Sequence, residues 1–183
     1  AGLVWARPRL GRVGIQKRAT APRGRTRDEH AQSVAGVFRA IARVRWSFAK
    51  FPRMTKANIH EWIRYDGYQH FEEARRQGKG VLFATAHLGN WELSAFAHAL
   101  LSEPMQVVVR PLDNPRIDDL VETRRALSGN HLIGKKDFAR SILHALKDNE
   151  AVGILVDQNA GLEDGVFVDF FGVPACAGAG FAK

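Results

Sequence analysis

Past an arginine-rich opening, apolar residues recur on one helical face. Val34, Val37, Phe38, Ile41 and Phe48 follow i, i+3, i+4, i+7 spacing with a further turn beyond. Arg39, Arg43, Arg45 and Lys50 flank this stripe and Trp46 adds an amphipathic ring. The segment reads either as a helix lying in a membrane interface or as a core-facing helix with solvated arginines. Pro52 ends it, and a shorter helical stretch around 66–77 closes at Gly78. From Gly80 the pattern alternates. Val81–Ala86 and Gln106–Arg110 are short apolar runs rich in β-branched residues, the mark of buried strands. Between them, Trp91–Leu101 is apolar at helical spacing. Asn114 and Pro115 form a cap and first turn for a helix to about Leu127. A brief strand at His131–Ile133 precedes a helix from about Asp137 to Lys147, with Phe138, Ile142, Leu143 and Leu146 inward. Strands at Val152–Val156 and Val166–Phe171 follow. Strand and helix alternation at these lengths predicts an α/β domain with a mostly parallel or mixed sheet flanked by helices. The expected organisation is a basic arm over 1–27, a helical segment over 28–78 and the α/β domain over 79–183.

Charge sharpens that division. The net charge is +8, from 27 Lys and Arg against 19 Asp and Glu. The arm carries Arg7, Arg9, Arg12, Lys17, Arg18, Arg23, Arg25 and Arg27 with no acid, so the rest of the chain is balanced. Such an arm can bind anionic lipid head groups, bind nucleic-acid phosphates, or remain solvated. The lone Cys176 excludes an intramolecular disulfide and a cysteine-based zinc site. No stretch approaches the ~20 apolar residues of a transmembrane helix, and arginines interrupt every apolar run near the start. The chain lacks an initiator Met and ends at AGAGFAK, so further residues are expected at both ends.

The chemistry centres on HLGNWE, residues 87–92. His87 falls at the C-terminal end of the first strand of the α/β domain, where such folds keep their sites. Leu88, Gly89 and Asn90 make the turn, and Glu92 lies in the first turn of the next helix. A carboxylate five residues on can fold back to an imidazole, fixing its tautomer and making it a general base. The same spacing also fits a buried histidine satisfied by an acid, or a glutamate placed to favour a helix N-terminus. No serine elbow or cysteine nucleophile lies nearby, which points to a substrate hydroxyl as the activated group. Zinc fits poorly, because the spacing is not HExxH and no second ligand lies at the right separation. His98 and His144 fall within predicted helices and read as structural or exposed.

Four ordered blocks carry a resemblance: GVLFATAHLGNWE at 80–92, VVVRPLDNP at 107–115, NHLIGKKDFAR at 130–140 and VGILVDQNAGLEDGVFVDFFGVPA at 152–175. With them, the chain from about Trp62 resembles the bacterial lipid A biosynthesis (lauroyl/myristoyl) acyltransferases of the lysophospholipid acyltransferase superfamily. More weakly, DEHAQSVAGVFRAIARV resembles the family's helix before the catalytic domain. The resemblance implies His87 as general base with Glu92 as its carboxylate. It implies substrate-binding roles for Asn90, Trp91, Arg110, Asp157 and Gln158. Arg110 would bind a phosphate or steady the oxyanion, and Asp157 and Gln158 would bind acceptor or support the catalytic pair. Gly165, Phe170, Phe171 and Gly172 would shape a loop and an apolar acyl groove, with plain core packing the alternative for both phenylalanines.

The activity so implied moves a fatty acyl group from an acyl carrier protein or coenzyme A thioester to a hydroxyl of a lipid A precursor or related glycolipid or lysolipid. It implies no metal and no resident cofactor. It also implies a peripheral place on the anionic cytoplasmic face of the bacterial inner membrane, with no nucleic acid as partner. Alternatives are acylation of another acceptor, such as a phosphatidylinositol mannoside, and a non-catalytic membrane- or nucleic-acid-binding protein. The chain departs from the family in lacking its N-terminal membrane helix and its later blocks. The NLR-x-x-FP-like stretch expected near 16–22 stands only as QKRATAP.

Overall fold

A computed structural model describes residues 27–134 and 138–180. The expectations placed on the basic arm before Arg27, and on the start of the helix near Asp137, lie outside the described residues. The chain divides into two compact units, Ala1–Trp46 and Ser47–Lys183. The described part of the first is helix α1, Arg27–Lys50, whose last turn enters the second unit. The predicted stripe is present, with Val37, Ile41 and Trp46 solvent-exposed.

The second unit is α/β. Two 3₁₀ turns, Phe51–Arg53 and Ile59–Glu61, lead into α2, Tyr68–Arg76. Then come β1 Val81–Thr85, α3 Trp91–Leu101, β2 Gln106–Val109, α4 Pro115–Ala126, β3 His131–Gly134, α5 Phe138–Lys147 and β4 Ala151–Leu155. All four strands are parallel, in the order β1-β4-β2-β3. An antiparallel hairpin, β5 Gly165–Phe170 with β6 Val173–Gly178, forms a separate sheet.

The period-two alternation of the strands sorts the core. Val81, Val107, Val109 and Ala151 share one cluster with Phe71 of α2, against which Trp91 and Ala95 of α3 also pack. Val152 joins the opposite-face cluster with Ile133 and with Ile142 and Ala145 of α5. A third cluster joins Phe51, Met54 and Ile59 to Leu93, Phe96 and Ala97 of α3. Leu143, expected inward, is 60% exposed. It stands about 100° around the helix from Ile142, off the stripe that Ile142, Ala145 and Leu146 form.

Gly80 shows why β1 begins where it does. Its φ is +73°, and a Cβ there would come within 2.9 Å of the backbone of Leu146 and Glu150. Only glycine lets the strand start so close to the end of α5. There its amide donates to Asn149 Oδ1 at 2.9 Å and Val81 N donates to Glu150 O at 3.0 Å.

β6 was not predicted, since VPACAG is rich in small residues and holds a proline. Pro174 is tolerated because the hairpin is only two strands wide. Phe170 and Phe171 are exposed at its turn, which excludes core packing for both.

Candidate active site

Register brings the principal polar pair together. β1 and β4 are adjacent and parallel with Thr85 opposite Leu155, and the pairing runs on as Val156 N donates to Thr85 O at 2.9 Å. Two residues past each strand end, His87 therefore faces Asp157. Asp157 Oδ2 accepts from the His87 backbone amide at 2.8 Å, and Oδ1 lies 2.8 Å from His87 Nδ1. With the proton on Nδ1 the carboxylate accepts it, leaving Nε2 as a free base. Burial pushes the Asp157 carboxyl up, but the two hydrogen bonds from His87 and its charge outweigh this and hold it below the ordinary value of 3.8. Both side chains are part-exposed, 43% for His87 and 37% for Asp157, so a substrate can reach them.

The turn between them and α3 is pinned by Asn90. Its Oδ1 caps the helix by accepting from Leu93 N at 3.1 Å, and its Nδ2 donates to Ser47 Oγ at 2.6 Å. Asn90 thus has both ends of its amide engaged within the protein. Gly89, at φ +64°, supplies the left-handed residue of that turn.

Glu92, expected against His87, turns instead to Arg125 near the end of α4. Arg125 Nε donates to Oε2 at 3.0 Å and Nη2 to Oε1 at 2.5 Å, a two-point pair only 12–14% exposed. The carboxylate on the imidazole is that of Asp157. A residue at N2 of α3 faces the neighbouring helix, whereas parallel pairing of β1 with β4 brings Asp157 to the strand end. Trp91 neighbours both pairs. Its ring is 6.1 Å from the His87 ring at 77°, and the Arg125 guanidinium is 5.3 Å from its centroid. Sequence reading missed Arg125; the one available signal was a cation late in α4 matched to an acid early in α3.

Arg110 follows β2 on the same sheet edge, 72% exposed, with Nη2 at 3.4 Å from Asp113 Oδ1. Gln158 is exposed next to Asp157. Behind Trp91, between α3 and the sheet, lies a largely apolar cavity of about 270 Å³. Phe83, Thr85, Met105, Gly153 and Leu155 form part of its wall, and Thr85 and Leu155 stand two residues before His87 and Asp157. Phe170 and Phe171 do not line it. His98 also borders the cavity. Burial lowers its pKa against a smaller opposing effect of Glu103, and its Nδ1 lies 3.0 Å from the Tyr65 hydroxyl. Among the described residues no cluster of His, Cys, Asp and Glu is arranged to hold a metal ion, and no helix is long and apolar enough to cross a membrane.

Comparison with known proteins gives this geometry a family. The family model for bacterial lipid A biosynthesis acyltransferases matches residues 22–183. A lipid A biosynthesis acyltransferase of Haemophilus influenzae is 26% identical over 149 residues, 80% of this chain and 46% of that protein. The lipid A biosynthesis lauroyltransferase of Escherichia coli is 33% identical over 119 residues, 65% of this chain and 38% of its own length. The palmitoleoyltransferase of the same organism is 28% identical over 148 residues, 80% and 47% respectively. The chain thus spans less than half the length of these relatives. The matched region holds His87, Asp157, Glu92 and Arg125 together, and the chain belongs to the bacterial lipid A biosynthesis acyltransferase family.

Proposed function

We propose that the protein transfers a fatty acyl group from an acyl thioester, on acyl carrier protein or coenzyme A, to a hydroxyl of a lipid A precursor or related glycolipid. The observation that carries the reading is the His87–Asp157 pair: an accessible imidazole with a carboxylate on Nδ1, and among the described residues no hydrogen-bond partner on Nε2, at the C-terminal edge of a parallel sheet. In this mechanism Nε2 takes the proton of the acceptor hydroxyl as its oxygen attacks the thioester carbonyl carbon. The carbon–oxygen bond forms and the carbonyl becomes an oxyanion. Collapse breaks the carbon–sulfur bond, and the imidazolium returns its proton to the leaving thiolate. Asp157 fixes the tautomer and stabilises the imidazolium. Arg110, with Gln158 beside the pair, serves anionic groups of substrate at the same edge. The acyl chain occupies the cavity behind Trp91. Glu92 belongs to the site through Arg125 and Trp91. The reaction so written calls on no metal and no resident cofactor.

The protein works at the anionic cytoplasmic face of the bacterial inner membrane, held there peripherally by its basic arm and by α1. This is supported by the exposed Val37, Ile41 and Trp46 among the α1 arginines. The test of the catalytic reading is acyl-thioester turnover with a lipid A precursor as acceptor, in wild type and His87→Ala. Product from wild type and none from the variant supports it; equal product from both contradicts it.

A further inference from the structure

We infer that Arg125 is a positioning residue for His87, acting through Trp91 and held in place by Glu92. The inference rests on the reading of His87 as the general base.

α4 buries none of its apolar side chains. Two consecutive arginines near its end tie it to the domain. Arg124 Nη1 donates to the carbonyls of Phe48 and Ala49, at 3.2 and 3.1 Å, and so closes the end of α1. That is a structural task. Arg125 points the other way, into the layer behind the catalytic turn. Its planar fork is aligned by both oxygens of Glu92, which leaves its face to lie over the Trp91 ring. Trp91 and Glu92 are neighbours in the first turn of α3, so one guanidinium restrains both. The Trp91 ring also meets the His87 ring edge-on, with centroids 6.1 Å apart at 77°. His87 is thereby held by Asp157 through a hydrogen bond and by Trp91 through a ring contact, and Arg125 fixes the second.

The pair also keeps the local charge neutral. Among the described residues, the charged groups linked to the imidazole are Asp157 from the end of β4, by hydrogen bond, and Glu92 of α3 and Arg125 of α4, by way of Trp91. Removing Arg125 leaves a lone carboxylate behind the tryptophan and favours the imidazolium. Removing the Glu92 charge leaves a lone guanidinium and disfavours it.

The experiment follows the ring-proton titration of His87 by NMR in the full chain, alongside acyl-thioester turnover. The variants are Arg125→Met, Arg125→Lys, Glu92→Gln and the double variant Glu92→Gln/Arg125→Met, each checked for folding by circular dichroism. The expected result is a His87 midpoint that rises in Arg125→Met, falls in Glu92→Gln and returns to the wild-type value in the double variant. Arg125→Lys keeps the charge but loses the two-point fork. It leaves the midpoint in place and lowers kcat about tenfold with KM unchanged. A His87 midpoint that moves in none of the folded variants overturns the positioning role, even if His87→Ala abolishes turnover. Full turnover by His87→Ala overturns the catalytic reading instead, whatever the titrations show.

Discussion

Two acid–base pairs neighbour Trp91, and they differ in what surrounds them. His87–Asp157 is open to solvent over roughly two-fifths of each side chain, while Glu92–Arg125 is sealed to 12–14% exposure. An open pair contributes little to stability, because water competes for both partners and screens them. A sealed pair contributes through what happens when it is broken, since the remaining charge has neither water nor partner. The open pair can take up and release a proton in contact with substrate; the sealed one can hold a geometry. Sequence spacing assigned the carboxylate nearer in the chain to His87. The fold gave that place to one 70 residues away, because parallel strands in register align their ends regardless of the distance along the chain.

The largest way to break the comparison is at the imidazole. His87→Ala is expected to cut kcat by about 10²–10⁴-fold while leaving the urea midpoint close to wild type. Next comes the sealed pair. Arg125→Met is expected to cost about 3–5 kcal/mol of stability, read as a lowered urea midpoint at unchanged slope. The matching change in the open pair, Asp157→Asn, is expected to cost at most about 1 kcal/mol in the same assay. If the two costs were equal, exposure would not be what separates the pairs.

Acid gives a smaller effect that sharpens the contrast. The Asp157 carboxyl is held below 3.8 in the folded protein, so its contribution is complete above that value and is lost as pH falls through the lower folded one. Below that point the stability curves of wild type and Asp157→Asn should converge. Nearer neutrality, His98 adds an effect of its own. Burial depresses its pKa, so the unfolded chain binds a proton first as pH drops below 6.5, and stability falls from there towards the depressed folded value. A denaturation series across pH 5–7 should show this slope in wild type and lose it in His98→Leu.

The sequence made the fold legible where periodicity was strong. The four parallel strands and the helices between them follow from runs such as VLFAT and QVVV and from the Asn114–Pro115 start. Leu143 was misread because a single apolar residue beside a stripe looks like part of it until the helical angle is counted. β6 was invisible because its residues are small and carry almost no hydrophobic alternation. Among the candidate site residues, His87 was picked out from its place after a strand, and Asp157 and Arg110 from the resemblance. Their pairing was not, because strand order depends on which edges meet and no local pattern records that. Arg125 was hidden for a related reason: its partner lies 33 residues away, and on its own helix it is one charge among several.

The central claim is that Asp157 is the carboxylate that makes His87 a base and that Glu92 acts one layer behind. The direct measurement is kcat for acyl-thioester turnover in folded Asp157→Asn and Glu92→Gln. The account predicts that Asp157→Asn loses at least about a hundredfold in kcat with stability nearly intact, and that Glu92→Gln loses mainly stability and no more than about tenfold in kcat. A Glu92→Gln protein that stays folded and inactive, beside an Asp157→Asn protein that turns over normally, would contradict it.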